Sequence, residues 1–101
     1  MSLNDPILTI SVASTLLKLH PRTLMLYERT NLIKPHRTGT KRRLFSIDDL
    51  AHLQFVKYLT QTEGLNLKGA ALILKAIEVA NKEGLNLKKL LFPYFRLQKL
   101  V

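Results

Sequence analysis

The chain opens on a short apolar run, Ile7-Leu8-Thr9-Ile10, after which hydrophobic residues return at helical spacing through Val12, Ala13, Leu16 and Leu17. Ser11 is the expected N-cap of this first helix, because a hydroxyl there can accept from an orphan backbone N–H. A turn at Leu19-His20-Pro21 restarts the pattern, since proline is tolerated in a first turn, where its missing N–H has no intrahelical acceptor. The second helix is predicted over 21–30, through Thr23, Leu24, Tyr27 and Glu28 to Arg29 or Thr30. Two short helices joined by a tight turn, with small Ala13 admitting close packing, predict a helix-turn-helix.

From Leu32 the helical period stops, and Pro35, Gly39 and the flanking threonines predict an extended excursion with a turn at its tip. Its expected form is a two-stranded wing over 33–45, with Ile33 to Arg37 paired with Arg42 to Phe45. Ser46-Ile47-Asp48-Asp49 resembles a capping box with Asp in place of the usual Glu. It would open a helix whose apolar stripe is Ile47, Leu50, Ala51, Leu53, Val56 and Leu59, ending near Gly64. Asn66 is then expected to cap a helix through Leu67, Ala70, Ala71, Leu74 and Ile77.

Glu63-Gly64-Leu65-Asn66-Leu67-Lys68 recurs 20 residues later as Glu83-Gly84-Leu85-Asn86-Leu87-Lys88. Two copies make no solenoid, and the preferred reading is one local device used twice, with Gly ending a helix and Asn starting the next. The second copy would begin a last helix through Leu87, Leu90 and Leu91 that Pro93 interrupts. The fold class expected is therefore mostly α: a winged helix-turn-helix with a small two-stranded wing and additional C-terminal helices. Residues 7–80 form the domain, and 81–101 a short apolar C-terminal segment for dimerisation or docking.

Composition narrows the functions available. A chain of 101 residues is one small domain, without room for a separate catalytic one. With 47% hydrophobic and 23% charged residues it should fold rather than stay disordered. The absence of cysteine excludes disulfides and thiolate chemistry. No apolar run approaches the ~18 residues of a membrane span, and Met1 to Pro6 lacks the basic and apolar regions of a signal peptide. A soluble, cytoplasmic protein is expected, with no membrane partner.

Charge adds the strongest clue. The 26 residues from Lys18 to Arg43 hold eight of the sixteen basic residues and a single acid, Glu28, so that +7 of the net +9 lies here. Such a stripe along a helix and a loop is the electrostatic footprint of a nucleic-acid binder, although anionic membranes and acidic proteins also attract basic surfaces. Catalytic alternatives have little to stand on. His20, His36 and His52 lie 16 residues apart, without the short paired spacing of a zinc site. Asp48 and Asp49 are explained by capping, and no Walker loop, dinucleotide fingerprint or Ser-His-acid arrangement is present. Neither enzyme activity, cofactor nor metal is expected.

The ordered set Leu8-Thr9-Ile10-Ser11-Val12-Ala13, His20-Pro21-Arg22-Thr23-Leu24, Tyr27-Glu28-Arg29, Leu32-Ile33-Lys34-Pro35-His36-Arg37, Arg43-Leu44-Phe45-Ser46 and Asp49-Leu50 resembles the DNA-binding region of the MerR family of bacterial transcription regulators. The resemblance covers about residues 8 to 78. His20-Pro21 and Gly64-Leu65-Asn66-Leu67-Lys68-Gly69-Ala70 look most like its heat-shock repressor branch. It implies a winged helix-turn-helix followed by further helices, and a dimer held by a C-terminal coiled coil, for which Pro93 leaves little uninterrupted helix. The chain departs from the family at Met25, where an arginine is usual, and at Leu26, where an aromatic is frequent. Base contacts there are expected to be lost or replaced.

Residue roles follow from helix and resemblance together. Arg22 and Thr23 occupy the first turn of the recognition helix, the part that usually meets base edges, while the bland alternatives are a solvated arginine and a turn threonine. Tyr27 would either reach a phosphate, as the matching family position implies, or bury its ring beside Leu24. Arg37, Lys41, Arg42 and Arg43 would flank the phosphate backbone from the wing, with Ser11 and His20 completing the DNA-binding set. Glu28 is expected to pair locally with an arginine such as Arg43. The leading function is a sequence-specific regulator that binds double-stranded DNA as a homodimer and represses. An excisionase-like architectural factor, or an adaptor docking a protein partner through its apolar tail, are the alternatives.

Overall fold

The computed structural model describes residues 2–37, 39 and 42–100. Among these residues the order is β1 (Leu8–Thr9), α1 (Ile10–Leu17), α2 (Pro21–Arg29), β2 (His36–Arg37), β3 (Arg43–Phe45), α3 (Ile47–Lys57), a π-helical turn (Tyr58–Thr62), α4 (Leu67–Lys82) and α5 (Leu87–Leu91). The mostly α winged helix-turn-helix expected from the sequence is the fold observed.

Three details correct the sequence reading. The sheet has three strands in the order β1-β3-β2, because Leu8 and Thr9 pair antiparallel with Phe45 and Leu44 on the edge of β3 that β2 leaves open. Helix α1 then starts at Ile10, and its cap is Thr9, whose hydroxyl accepts from the Val12 N–H at 3.3 Å, rather than Ser11. Both residues have capping chemistry, but only Thr9 has the extended backbone a cap requires. The wing strands are also shorter than 33–37 and 42–45. Pro35 has no N–H for the ladder, and Leu32 and Ile33 leave it to enter the core.

Local signals elsewhere fold as read. Ser46 and Asp49 form a reciprocal capping box, with the Asp49 N–H donating to Ser46 Oγ at 3.0 Å and the Ser46 N–H to Asp49 Oδ2 at 2.9 Å. Gly64 and Gly84 both take left-handed φ, at 73° and 78°, and each ends a helix. Asn66 and Asn86 then cap α4 and α5, accepting from the Gly69 and Lys89 N–H groups at 2.7 and 3.1 Å. The recurring hexapeptide is thus a stop-and-start device used twice.

The core joins the helices with β1 and β3. Ala13, Leu24, Leu53, Val56 and Leu59 are fully buried, and Ala13 has no exposed area where α1 meets α2. Beyond α5 the chain folds back on α3. Phe92 and Phe95 pack edge-on against Phe55 at 5.6 and 5.2 Å between ring centres, and Phe95 lies 5.2 Å from Tyr58. Gln54 fastens the strap with two hydrogen bonds to the backbone of Gln98, at 2.8 and 2.9 Å. Part of the apolar C-terminal segment is therefore occupied by its own domain. Among the described residues, no helix is long and apolar enough to cross a membrane.

Candidate nucleic-acid interface

Helix α2 begins where the sequence places it, and its first turn is held open to solvent. His20 is the N-cap: its Nδ1 accepts from the Arg22 N–H at 3.0 Å, with Pro21 as the first helical residue. His20 thus shapes the turn that presents Arg22, which is exposed, while Thr23 beside it is half-buried. Lys57 on α3 donates to the Leu17 carbonyl at 2.9 Å, and so fixes the end of α1 and the turn after it. Ser11 is exposed on α1, where its carbonyl accepts from the Ser14 and Thr15 hydroxyls.

The helical period divides α2 into two faces. Leu24 and Tyr27 point into the core, with 0% and 2% exposure, and Arg22, Leu26 and Arg29 line the opposite, solvent side. Of the two readings of Tyr27, a phosphate contact or a ring buried beside Leu24, the buried ring is the one observed. Its hydroxyl is 3.0 Å from Thr60 Oγ1, which also lies 3.0 Å from the Val56 carbonyl. Since Thr60 spends its one proton on that carbonyl, Tyr27 donates to Thr60 and ties α2 to the junction of α3 and the π-helical turn. Helix α2 ends at Arg29 with Thr30 as its C-cap, and the chain turns away at Asn31, which takes a left-handed φ of 61° as the Leu32 N–H returns to the Tyr27 carbonyl at 2.9 Å.

The wing is fastened to α2 by one carboxylate. Arg37 on β2 and Arg43 on β3 are direct partners in the antiparallel register, so their side chains leave the same face of the ribbon. Both reach Glu28 in the last turn of α2, Arg37 Nη2 at 2.5 Å from Oε2 and Arg43 Nε at 2.6 Å from Oε1. The expected Glu28–Arg43 pair is present, and Arg37 extends it to a three-membered fork with net charge +1. An arginine has five N–H donors, so pairing with Glu28 is compatible with a further contact to phosphate. Arg42 is exposed next to the fork, and Lys41 lies outside the described residues.

Partial burial of Glu28 pushes its carboxyl pKa up, but hydrogen bonds from Arg43 and Arg37, and their charges, outweigh that and hold it below the ordinary 4.5. A depressed pKa means that the unfolded chain binds this proton first on acidification. The fork's contribution to stability is therefore present above about pH 4.5 and lost as pH falls through the folded-state value. Urea unfolding at neutral pH and at about pH 3 should show a larger acid loss for the wild type than for Glu28→Gln. Identical losses would mean that the fork adds nothing to folding.

Two ties across the site were not anticipated. His52 Nε2 lies 2.8 Å from the Leu32 carbonyl and anchors the entry to the wing. His36 Nε2 sits 3.8 Å from Asp49 Oδ2. Arg29 and Leu26 also belong to the exposed face of α2, and their spacing from Arg22 was the signal for them. Among the described residues, no group of three His, Cys, Asp or Glu side chains is arranged to hold a metal ion.

Comparison with known proteins now decides the family. Residues 8–77 match the model of the MerR HTH family regulatory proteins. The chain belongs to the MerR family. It is 43% identical over 79 residues to the heat shock protein HspR of Streptomyces coelicolor, a match covering 78% of this chain and 50% of that one. To the HTH-type transcriptional regulator GlnR of Bacillus anthracis it is 38% identical over 69 residues, covering 68% of this chain and 53% of that protein. The likeness to HspR supports the placement in the heat-shock branch. This MerR-family chain spans about half the length of the curated relatives it matches.

Proposed function

We propose that this protein is a sequence-specific, double-stranded DNA-binding transcription regulator that acts as a dimer, most simply as a repressor. In this reading α2 enters the major groove, and the wing over 33–45 follows the phosphate backbone. The observation that carries it is the exposed Arg22, Leu26 and Arg29 face of α2, held beside a basic wing by Glu28. Base edges would meet the helix and phosphates the arginines of the wing, which is how such folds divide specificity from affinity. Family membership and the names of its relatives support the regulator class. Dimerisation rests on the family resemblance, with Leu72, Val79, Leu90 and Leu91 exposed on the C-terminal helices as candidate contact residues.

Selection from random-sequence DNA followed by footprinting tests this function. Two protected half-sites would support the dimeric regulator, phased tandem sites an architectural factor, and no sequence preference even at low salt an adaptor. A second measurement addresses the wing. If about six phosphates are neutralised per protomer, log K should fall with log salt at a slope near −5 for each protomer bound. Arg37→Ala or Arg43→Ala should weaken binding to all DNA alike and flatten that slope by about 1 per protomer. Loss of sequence preference in these variants would move base reading to the wing.

A further inference from the structure

The recognition face of α2 contains one side chain that a purely polar mode of DNA binding leaves unexplained. Leu26 is 39% exposed, with Arg22 one turn before it and Arg29 nearly one turn after it on the same side of the helix. The core lies on the other side, through Leu24 and Tyr27. Leu26 is also held in place: its carbonyl accepts from the Thr30 N–H at 3.0 Å and the Thr30 hydroxyl at 2.9 Å, which secures the last turn of α2.

We propose that Leu26 is a specificity residue that meets the C5-methyl group of a thymine in the major groove of double-stranded DNA. The inference rests on the reading of α2 as the recognition helix. Charge complementarity selects the partner, because an apolar group between two arginines fits an anionic surface that also offers an apolar spot. In the major groove that spot is the thymine methyl. Leucine has no donor or acceptor, so it cannot read guanine, adenine or cytosine by hydrogen bonding. Its contribution is confined to burying a methyl group that cytosine and uracil lack. Met25, half-buried at the edge of this face, would flank the same contact.

The test uses the intact protein and a site obtained by selection, with each thymine replaced singly by deoxyuridine. That exchange removes one methyl group and keeps every hydrogen-bonding atom. Wild-type affinity should fall about fourfold at one thymine in each half-site, the value of burying one methyl-sized group. Leu26→Ala should bind the thymine and deoxyuridine sites equally at that position, while Leu26→Met, which keeps an apolar contact, should retain the difference. Circular dichroism should report both variants folded, as expected for a residue this exposed. A selected site with no deoxyuridine-sensitive thymine overturns the inference and leaves DNA binding intact. Unchanged sensitivity in Leu26→Ala overturns it too, by assigning the methyl contact to a neighbour. Failure to select any sequence overturns the recognition-helix reading itself.

Discussion

Arg22→Ala should leave the protein folded and able to bind DNA, yet reduce its preference for a selected site over scrambled DNA by about 1 to 3 kcal/mol per half-site, roughly 5- to 150-fold. The expectation comes from where Arg22 stands. It is exposed in the first turn of α2, and its backbone N–H is already satisfied by His20, so truncation removes a contact group without exposing the helix end. A guanidinium there can meet guanine O6 and N7 bidentately through its rigid planar fork. Competition titrations at one salt concentration would measure the ratio. Arg37→Ala serves as the control, because a wing arginine should lower both affinities and leave the ratio in place. Equal loss of preference in the two variants would dissolve the division between reading helix and clamping wing.

The largest effect on folding is expected at Phe55. Its ring is 2% exposed and is shared by two parts of the chain, with Tyr58 on one side and Phe92 and Phe95 of the strap on the other. Lys88 Nζ lies 4.4 Å from the ring centre, and burial depresses the pKa of that ammonium. Phe55→Ala should cost about 3 to 5 kcal/mol, the usual range for emptying an aromatic site in a core. That is a large share of the roughly 5 to 15 kcal/mol that stabilises a domain. Urea unfolding would show it as a lower midpoint. A loss below about 1 kcal/mol would mean that the strap does not pack on α3 as described, since a surface aromatic is worth no more.

Most of what could be read in advance depends on residues close together in the sequence. The Ser46 capping box, Pro21 at the start of α2 and the two Gly-Leu-Asn punctuations are each decided within a few positions, and each is in place. Glu28 was legible for another reason: it is the only acid in a run of eight cations, so an ion pair with one of them was to be expected. What escaped depends on distant partners. A two-residue strand such as β1 carries no alternation of its own and exists because β3 offers an open edge. The ties from Lys57 to Leu17, His52 to Leu32 and Gln54 to Gln98 cross 40, 20 and 44 residues. Tyr27 shows the same limit. A tyrosine at helical spacing from Leu24 fits a core or a phosphate contact equally, and Thr60, 33 residues away, decides it.

The strap also bears on the tail. Phe92, Phe95 and Leu100 of the apolar C-terminal segment pack against this domain's own core. Leu90, Leu91, Tyr94 and Leu97 stay exposed, so a partner would meet the outer side of a segment already anchored inside. Sedimentation of the full chain beside one lacking residues 84–101 would show whether that outer side holds two copies together.

The most direct test of the central claim, that α2 reads bases from the major groove, is methylation interference on a selected site. Dimethyl sulfate marks guanine N7 in the major groove and adenine N3 in the minor groove, and so reports which groove the protein occupies. Methylation of a guanine N7 in each half-site should abolish binding by the wild type, and the interference at that guanine should disappear in Arg22→Ala. Interference confined to adenine N3, or an N7 pattern unchanged in Arg22→Ala, would contradict it.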